Sequence, residues 1–305
     1  MSKKKIYLKP VAGLCNRIRA IDSALQIADS LNKDLVVFWG RDRFLNCRYS
    51  DLFEPSSNFR VIEEKRFLGL KLLYPYLPGS KPHTPVRKKI YTLTSLILGI
   101  KHEIWFEEIY DALEPISDIS PKNFSTIYDY EEKSYELLKP FKERMQTEKN
   151  CFICTSWRFS SEQNYVRNFI PIKHLQNIIN SVTQQFSNTI GVHIRRTDHT
   201  EAIKYSSTEH FIKRMLEELK TKPTVNFFLA TDCAETEALV KDLFPGKVIT
   251  SQKRTLDRNS TEGIQDSLVD LYCLSKTQKV LGSYNSSFSQ VSAQLGCVPE
   301  YTIYR

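Results

Sequence analysis

The stretch "IGVHIRRTDH", residues 190–199, ends an apolar run in two adjacent arginines and an aspartate. A planar guanidinium makes paired hydrogen bonds to a phosphate and stays charged at every physiological pH. Side chains alternate along a strand, so His193 and Arg195 share one face while Arg196 shares the other with Val192 and Ile194. One arginine can then meet an anionic ligand while the other is tied down by Asp198 or a neighbour. The competing reading is a structural Arg–Asp pair at a strand end.

Other segments end in polar groups in the same way. "FFLATD" closes on Thr231 and Asp232. "VLGSYNSSFSQ" carries Ser283, Asn285, Ser286 and Ser287 into a helix start, where free backbone N–H groups attract anions. Singly, each is an ordinary cap or strand end; on one edge of one sheet they make an anion site. Asp270 lies among Leu268, Val269, Leu271 and Leu274, and a carboxylate in that company needs a partner. A backbone group, an arginine, or a ribose or guanine edge would serve. In "AGLCNR", Gly13 allows a tight turn and close backbone approach, and Asn16 and Arg17 can face a ligand. Neither GxxxxGK[ST] nor GxGxxG occurs, so the P-loop and dinucleotide fingerprints are absent.

These residues sit on alternating elements. "KKIYLKP…DLVVFWG" reads as strand, glycine-bearing loop, helix and strand, a βαβ unit. From residue 185 onward strands ("NTIGVHIRR", "VNFFLATD", "KVITS", "KVLGSY") alternate with helices ("STEHFIKRMLEELKTK", "AETEALVKDLF", "GIQDSLVDLYCLSKTQ", "SSFSQVSAQLG"). That rhythm predicts a parallel α/β sheet, with ligands outside the carboxyl ends of its strands. Residues 40–150 are less regular: a proline-rich loop, "YPYLPGSKPHTP", then helices at 87–99 and 130–146, the second interrupted at Pro140. At 305 residues two domains are expected, 1–156 and 157–305.

The formal charge of +8 points to an anionic partner: nucleic acid, acidic lipid or a phosphorylated small molecule. No basic stripe with interleaved aromatics marks a nucleic-acid surface. The apolar run "IYTLTSLILGI" behind "RKK" falls short of the ~18–20 residues of a membrane span. It reads as a core helix, with peripheral membrane contact as the alternative. Seven scattered cysteines, with no signal peptide before them, fit a reducing, cytoplasmic setting. Cys151 and Cys154 have metal-like spacing but lie in "NCFICTSW" without a second pair, which reads as buried strand; no metal site is expected.

In order and spacing, "IGVHIRRTDH", "FFLATD", "SLVDLYCLS" and "GSYNSSFSQ" resemble the motifs of the fucosyltransferase superfamily with an H-x-R-R-x-D signature. The likeness is to the α1,6-fucosyltransferases of the core and nodulation-factor type, and more distantly to the α1,2 and protein O-fucosyltransferases, whose first-loop pattern "AGLCNR" resembles. It covers most of residues 188–296 and the N-terminal βαβ unit. The resemblance implies a GT-B type α/β architecture, two Rossmann-like doubly wound domains facing a cleft, with GDP-fucose held by the second. It implies an inverting, metal-independent transfer of fucose to a saccharide hydroxyl, α1,6 or α1,2, in glycan or surface-polysaccharide biosynthesis.

On this resemblance Arg195 and Arg196 contact the pyrophosphate, Asp232 and Asp270 hold the nucleoside, and Ser286 and Ser287 sit near the phosphates. His193, Asp198, Gly13, Asn16 and Arg17 complete the donor site. In the α1,6 enzymes that the chain resembles, the motif runs into a lysine and, a few residues later, a glutamate that acts as general base. Here His199 takes the lysine's place and Glu201 comes nearer, which makes Glu201 the first choice of base and His199 its partner or replacement. Rival readings are a GT-B enzyme using another GDP-sugar, and a nucleotide- or nucleic-acid-binding protein without catalysis. The oligomeric state is left open.

Overall fold

The structure, a computed structural model, describes residues 3–63, 66–67, 70–71, 77–147, 149–257 and 259–304. It forms two compact units, Met1–Asp118 with Tyr130–Ile170, and Ile119–Asp129 with Pro171–Arg305.

The first unit begins with β1 (Lys5–Pro10), α1 (Leu14–Ser30), β2 (Asp34–Trp39) and β3 (Arg60–Glu63). A small antiparallel pair, β4 (Arg66–Phe67) and β5 (Leu70–Lys71), comes next. Then follow α2 (Pro85–Leu98), β6 (Ile100–Ile104), α3 (Phe106–Ala112), α4 (Ile127–Leu137), α5 (Lys139–Met145), β7 (Asn150–Thr155) and α6 (Tyr165–Asn168). Its parallel sheet has the order β3-β2-β1-β7-β6. The central strands β1, β2 and β7 are buried on both faces, as their unbroken apolar sequences require. Cys151 and Cys154 are fully buried within β7, and the seven cysteines are free thiols. Pro140 falls in the first turn of α5, where a missing N–H leaves no bond unmade, so the expected interruption is a clean break between two helices. Of the proline-rich loop, residues 74–76 lie outside the described residues, and 77–84 run without helix or strand.

Residues 157–170 pack with the first unit, beyond the division drawn from sequence after residue 156. A buried polar cluster holds them there. Asp22 of α1 accepts hydrogen bonds from the Asn164 amide and from Asn168 Nδ2, each at 3.1 Å, and lies 3.3 Å from Arg158 Nη2. Both members of the Asp22–Arg158 pair are wholly buried, and Arg158 Nη1 donates to Tyr165 at 2.5 Å. Burial pushes the Asp22 pKa up, and Arg158 is the main group opposing that rise. Removing one partner leaves an uncompensated buried charge. Arg158→Ala is expected to cost about 3 kcal/mol of stability in urea unfolding; a loss below about 1 kcal/mol would show that the pair contributes no more than a surface one.

The second unit continues with α7 (Lys173–Thr183), β8 (Thr189–Ile194), α8 (Thr200–Tyr205), α9 (Thr208–Thr221), β9 (Asn226–Thr231) and α10 (Ala234–Leu243). It ends with β10 (Val248–Ile249), α11 (Thr261–Leu274), β11 (Val280–Ser283), α12 (Ser287–Gly296) and β12 (Glu300–Ile303). The parallel order is β10-β9-β8-β11-β12, the Rossmann order, with its topological switch point between β8 and β11. Ile190, Val192 and Ile194 of β8 pack with Phe227 and Leu229 of β9 and with Phe211 and Met215 of α9 in one core.

Among the described residues no helix is long and apolar enough to cross a membrane. The core-helix reading of "IYTLTSLILGI" holds for one face of α2 only: Tyr91 and Thr94 are buried, while Leu93, Leu96 and Ile97 are exposed.

Candidate active site

Every strand of the second sheet is parallel, so the residues following β10, β9, β8 and β11 emerge along one edge. In that order they are Ser251 to Arg254, Asp232, Arg195 to Asp198, and the turn into α12. This edge at the switch point is where an α/β sheet of this order binds its ligand.

The ends of β8 and β11 are stitched together. The Arg195 amide donates to Ser283 Oγ at 2.9 Å, and that hydroxyl donates to the His193 carbonyl at 3.1 Å. His193 Nδ1 lies 2.8 Å from Ser289 Oγ of α12, and its ring stacks on Phe288 with centroids 4.7 Å apart. Gly282 lets α12 come this close, since a Cβ there would sit 2.5 Å from Ser289 Cβ. The buried His193 ring therefore clamps the first turn of α12 onto β8 rather than facing a ligand, as the sequence reading expects. The turn itself runs through Asn285 in the left-handed region (φ 52°) to Ser286, whose side chain makes no capping bond. The first amides of α12 and the half-exposed Ser287 thus remain available to an anion.

Asp232 organises the arginine loop. Its Oδ1 accepts from the Arg196 amide at 2.7 Å, and its Oδ2 accepts from the Thr197 hydroxyl at 2.6 Å and lies 3.0 Å from Arg195 Nη1. Arg195 also pairs with the exposed Asp198. Burial would raise the Asp232 pKa, but Arg195 foremost, with Thr197 and the Arg196 amide, brings it below the ordinary value. Both oxygens are engaged with the β8 loop, where the sequence reading expects a nucleoside contact. Arg196 is the more firmly held of the two arginines. Its guanidinium donates to three carbonyls, Arg195 at 2.8 Å, Ala202 at 3.1 Å and Ser206, and so fixes both ends of α8. The arginine placed among carboxylates at the sheet edge is Arg195.

On α8, His199 is the N-cap: its Nδ1 accepts from the Ala202 amide at 3.1 Å. Burial, then Arg195, lowers its pKa, so it stays neutral with its proton on Nε2. Glu201 is half-exposed in the first turn, and among the described residues its carboxylate accepts no hydrogen bond. Burial, and next the charge of Glu201, push the Tyr284 phenol up in pKa. Tyr284 directly follows Ser283, its amide donates to Ser206 Oγ at 2.7 Å, and its ring meets that of Tyr205 of α8 at 5.4 Å. Glu201 and the α12 turn are thereby held on one scaffold.

Asp270 and Asp266 lie one turn apart on α11, and both anchor the loop after β10. Asp270 accepts from Ser251 Oγ at 2.5 Å and lies 3.4 Å from Lys253 Nζ. Burial raises its pKa to about 6 against the pull of Lys253. Asp266 takes the Arg254 amide at 2.6 Å and the Arg254 guanidinium at 2.6 and 2.9 Å. The nucleoside contact expected of Asp270 is replaced by an internal ion pair that sets the loop. Lys253, Arg254 and Asp266 were not singled out from sequence; the i, i+4 acids of "DSLVD" and the two cations after a strand end were the available signal.

In the first unit, Gly13 caps α1 with φ −72° and open space where a Cβ would stand; the left-handed residue of that turn is Ala12 (φ 67°). The tight turn expected at Gly13 is therefore made one residue earlier. Arg17 is fully buried over Trp39 and donates to Ala12 O (2.8 Å), Gly40 O (2.5 Å) and Asp42 (2.7 Å), which makes it a brace between the ends of β1 and β2. Asn16 is half-buried and accepts from Arg19 at 2.9 Å. Among the described residues no group of three or more His, Cys, Asp or Glu side chains could hold a metal ion.

The clamp at His193 gives a measurable pH dependence. Burial, then Arg195, lowers its pKa to about 3. The unfolded chain binds a proton near the ordinary imidazole value that the folded chain refuses, so this term weakens the fold as pH falls below about 6.5. Asp270 acts in the opposite sense between its ordinary carboxyl value and about 6, and flattens the wild-type profile. In urea melts the stability of the wild type minus that of His193→Gln is expected to fall by more than about 1 kcal/mol per pH unit below pH 6.5. A difference that stays constant with pH would mean that His193 is not a buried neutral ring.

Two Rossmann-like units, each on a parallel five-stranded sheet, define the GT-B type of α/β fold. Among solved structures the chain is similar to the NodZ α1,6-fucosyltransferase soaked with GDP-fucose, at 19% identity and TM-score 0.60, over 96% of this chain and 93% of that one. The fucosyltransferase NodZ from Bradyrhizobium gives 19% identity and TM-score 0.58 over 97% and 94%. POFUT1 in complex with GDP gives 12% and 0.55 over 99% and 98%. At these identities the likeness is one of fold. No family model matches the chain, and no curated protein matches it.

Proposed function

We propose that this chain transfers fucose from GDP-fucose to a saccharide hydroxyl, with inversion and without a metal ion. The observation that carries the reading is the edge of the second sheet, where Arg195 at the end of β8 stands beside the uncapped N-terminus of α12 at the end of β11. A guanidinium and free helix amides together neutralise a leaving diphosphate, the charge that a metal would otherwise meet. The solved structures of like fold include one with GDP-fucose and one with GDP, which supports the same donor here. In the reaction the acceptor oxygen attacks the anomeric carbon and the bond to the diphosphate breaks. The electron pair leaves with GDP, held by Arg195 and α12, and Glu201 takes the hydroxyl proton. Arg196, Asp232 and His193 position these groups from behind.

The reading places the enzyme in glycan or surface-polysaccharide assembly in the cytoplasm, with the first unit on the acceptor side. Calorimetric titration with GDP and GDP-fucose in EDTA tests it. Micromolar binding of both, with fucose released or transferred on incubation, is the expected result. Folded protein that binds neither ligand would overturn the reading; equal turnover of GDP-mannose would move it to another GDP-sugar.

A further inference from the structure

The basic charge of this chain is concentrated. From Arg66 to His102 the sequence carries seven Lys or Arg residues (66, 71, 81, 87, 88, 89 and 101) and no carboxylate, against a net +8 for the whole chain. At the centre of that stretch is α2, whose two faces differ. Tyr91 and Thr94 are buried, and Tyr91 and Leu98 join the core that contains Trp105 and Phe152. The helix is also capped at both ends, by the Thr84 side chain and by Gly99 in the left-handed region (φ 63°). It is formed and anchored by its own unit.

Its other face is apolar and uncovered. Val86, Leu93, Leu96 and Ile97 are 67%, 59%, 73% and 51% exposed. Val86, Ile90, Leu93 and Ile97 follow the i, i+4, i+7, i+11 spacing of a single stripe, and Leu96 flanks it. Arg87, Lys88 and Lys89 are exposed in the first turn, and among the described residues none of them pairs with a carboxylate. Lys89 neighbours Val86 and Leu93 at i−3 and i+4 and edges the stripe, whereas Arg87 heads the face that carries Tyr91, Thr94 and Leu98 and is exposed at the start of the helix. An apolar stripe edged by unpaired cations, on a helix with no acid of its own, complements an anionic bilayer surface, where apolar side chains enter the headgroup boundary and lysines meet lipid phosphates. A protein partner would need acids to match the cations and would leave the exposed Leu96 and Val86 as its anchors; the whole-stretch absence of carboxylates favours the lipid.

We propose that α2 docks this protein onto an anionic membrane surface, with the Val86, Leu93, Leu96 and Ile97 stripe in the headgroup region and Arg87, Lys88 and Lys89 against lipid phosphates. This bears on the acceptor without resting on the donor site, since a membrane-docked enzyme meets lipid-borne saccharides at the bilayer face.

Flotation of the full chain with vesicles of phosphatidylcholine alone, or of phosphatidylcholine and phosphatidylglycerol in equal parts, tests it. Binding to the anionic vesicles only, weakened by salt, is expected. Reversing Arg87, Lys88 and Lys89 to glutamate is expected to weaken it about hundredfold, and Leu93→Ser with Leu96→Ser about tenfold or more, with unfolding midpoints unchanged because these side chains are exposed. No binding to anionic vesicles overturns the proposal. So does anionic binding that survives the leucine changes, which would make the contact a diffuse charge effect. A concentration-dependent dimer in sedimentation, dissolved by the leucine changes and paired with no vesicle binding, would overturn it in favour of a second copy of this chain.

Discussion

Arg195→Ala is expected to weaken GDP binding by about one to two orders of magnitude and to lower fucose transfer by about three. Two effects add. The variant loses the charged hydrogen bonds of one guanidinium to the diphosphate, each worth about 1.5 to 3 kcal/mol. It also uncovers Asp232 and Asp198, which Arg195 now pairs, so two carboxylates are left near the place where the diphosphate charge develops. The loss should be larger in turnover than in donor binding, because negative charge on the leaving group grows toward the transition state. Arg195→Lys keeps the charge without the fork and should fall between wild type and alanine. Arg196→Ala gives the contrast: its guanidinium holds carbonyls of α8, so its removal should disturb turnover while donor binding persists. Titration calorimetry and initial rates on the three variants decide it. GDP affinity in Arg195→Ala within about threefold of wild type would remove Arg195 from the donor site.

How far the sequence foretold this edge depends on what each residue touches. The position of Arg195, Asp232 and Ser287 was legible, because strand ends in a parallel sheet follow from apolar runs and their polar terminations. The partners were not. Nothing in "AGLCNR" separates an arginine that faces ligand from one that braces two strands, and burial over Trp39 decides for the brace. Asp270 showed its need for a partner through its apolar neighbours, but Lys253 and Ser251 lie 17 and 19 residues earlier, across a strand end that spacing cannot bridge. The strands β3, β6 and β12 also escaped notice. They are four or five residues long, carry charged residues and lie at or beside sheet edges, where alternation is the only signal and is easily read as loop. The segment 119–129 shows the same limit: the Tyr284 hydroxyl, at 2.5 Å from the Phe124 carbonyl, ties it to the second unit across 160 residues.

Glu201→Gln is expected to leave GDP-fucose binding unchanged while lowering kcat by about two to four orders of magnitude. Glutamine keeps the size and the place in the first turn of α8 and loses only the ability to accept a proton. The bonds of the rival base, His199, favour Glu201. Its Nδ1 lone pair is spent on the Ala202 amide, which puts the proton on Nε2 and leaves neither nitrogen free to receive another. Burial and Arg195 hold its pKa down, so it does not charge to assist Glu201 as a lysine would. His199→Asn should keep the cap, since asparagine serves that position well, and should keep activity within about tenfold. The two variants thus separate base from cap in a single set of initial rates against pH. If His199→Asn loses activity as deeply as Glu201→Gln, the cap bond must break when acceptor binds, and the histidine rather than the glutamate takes the proton.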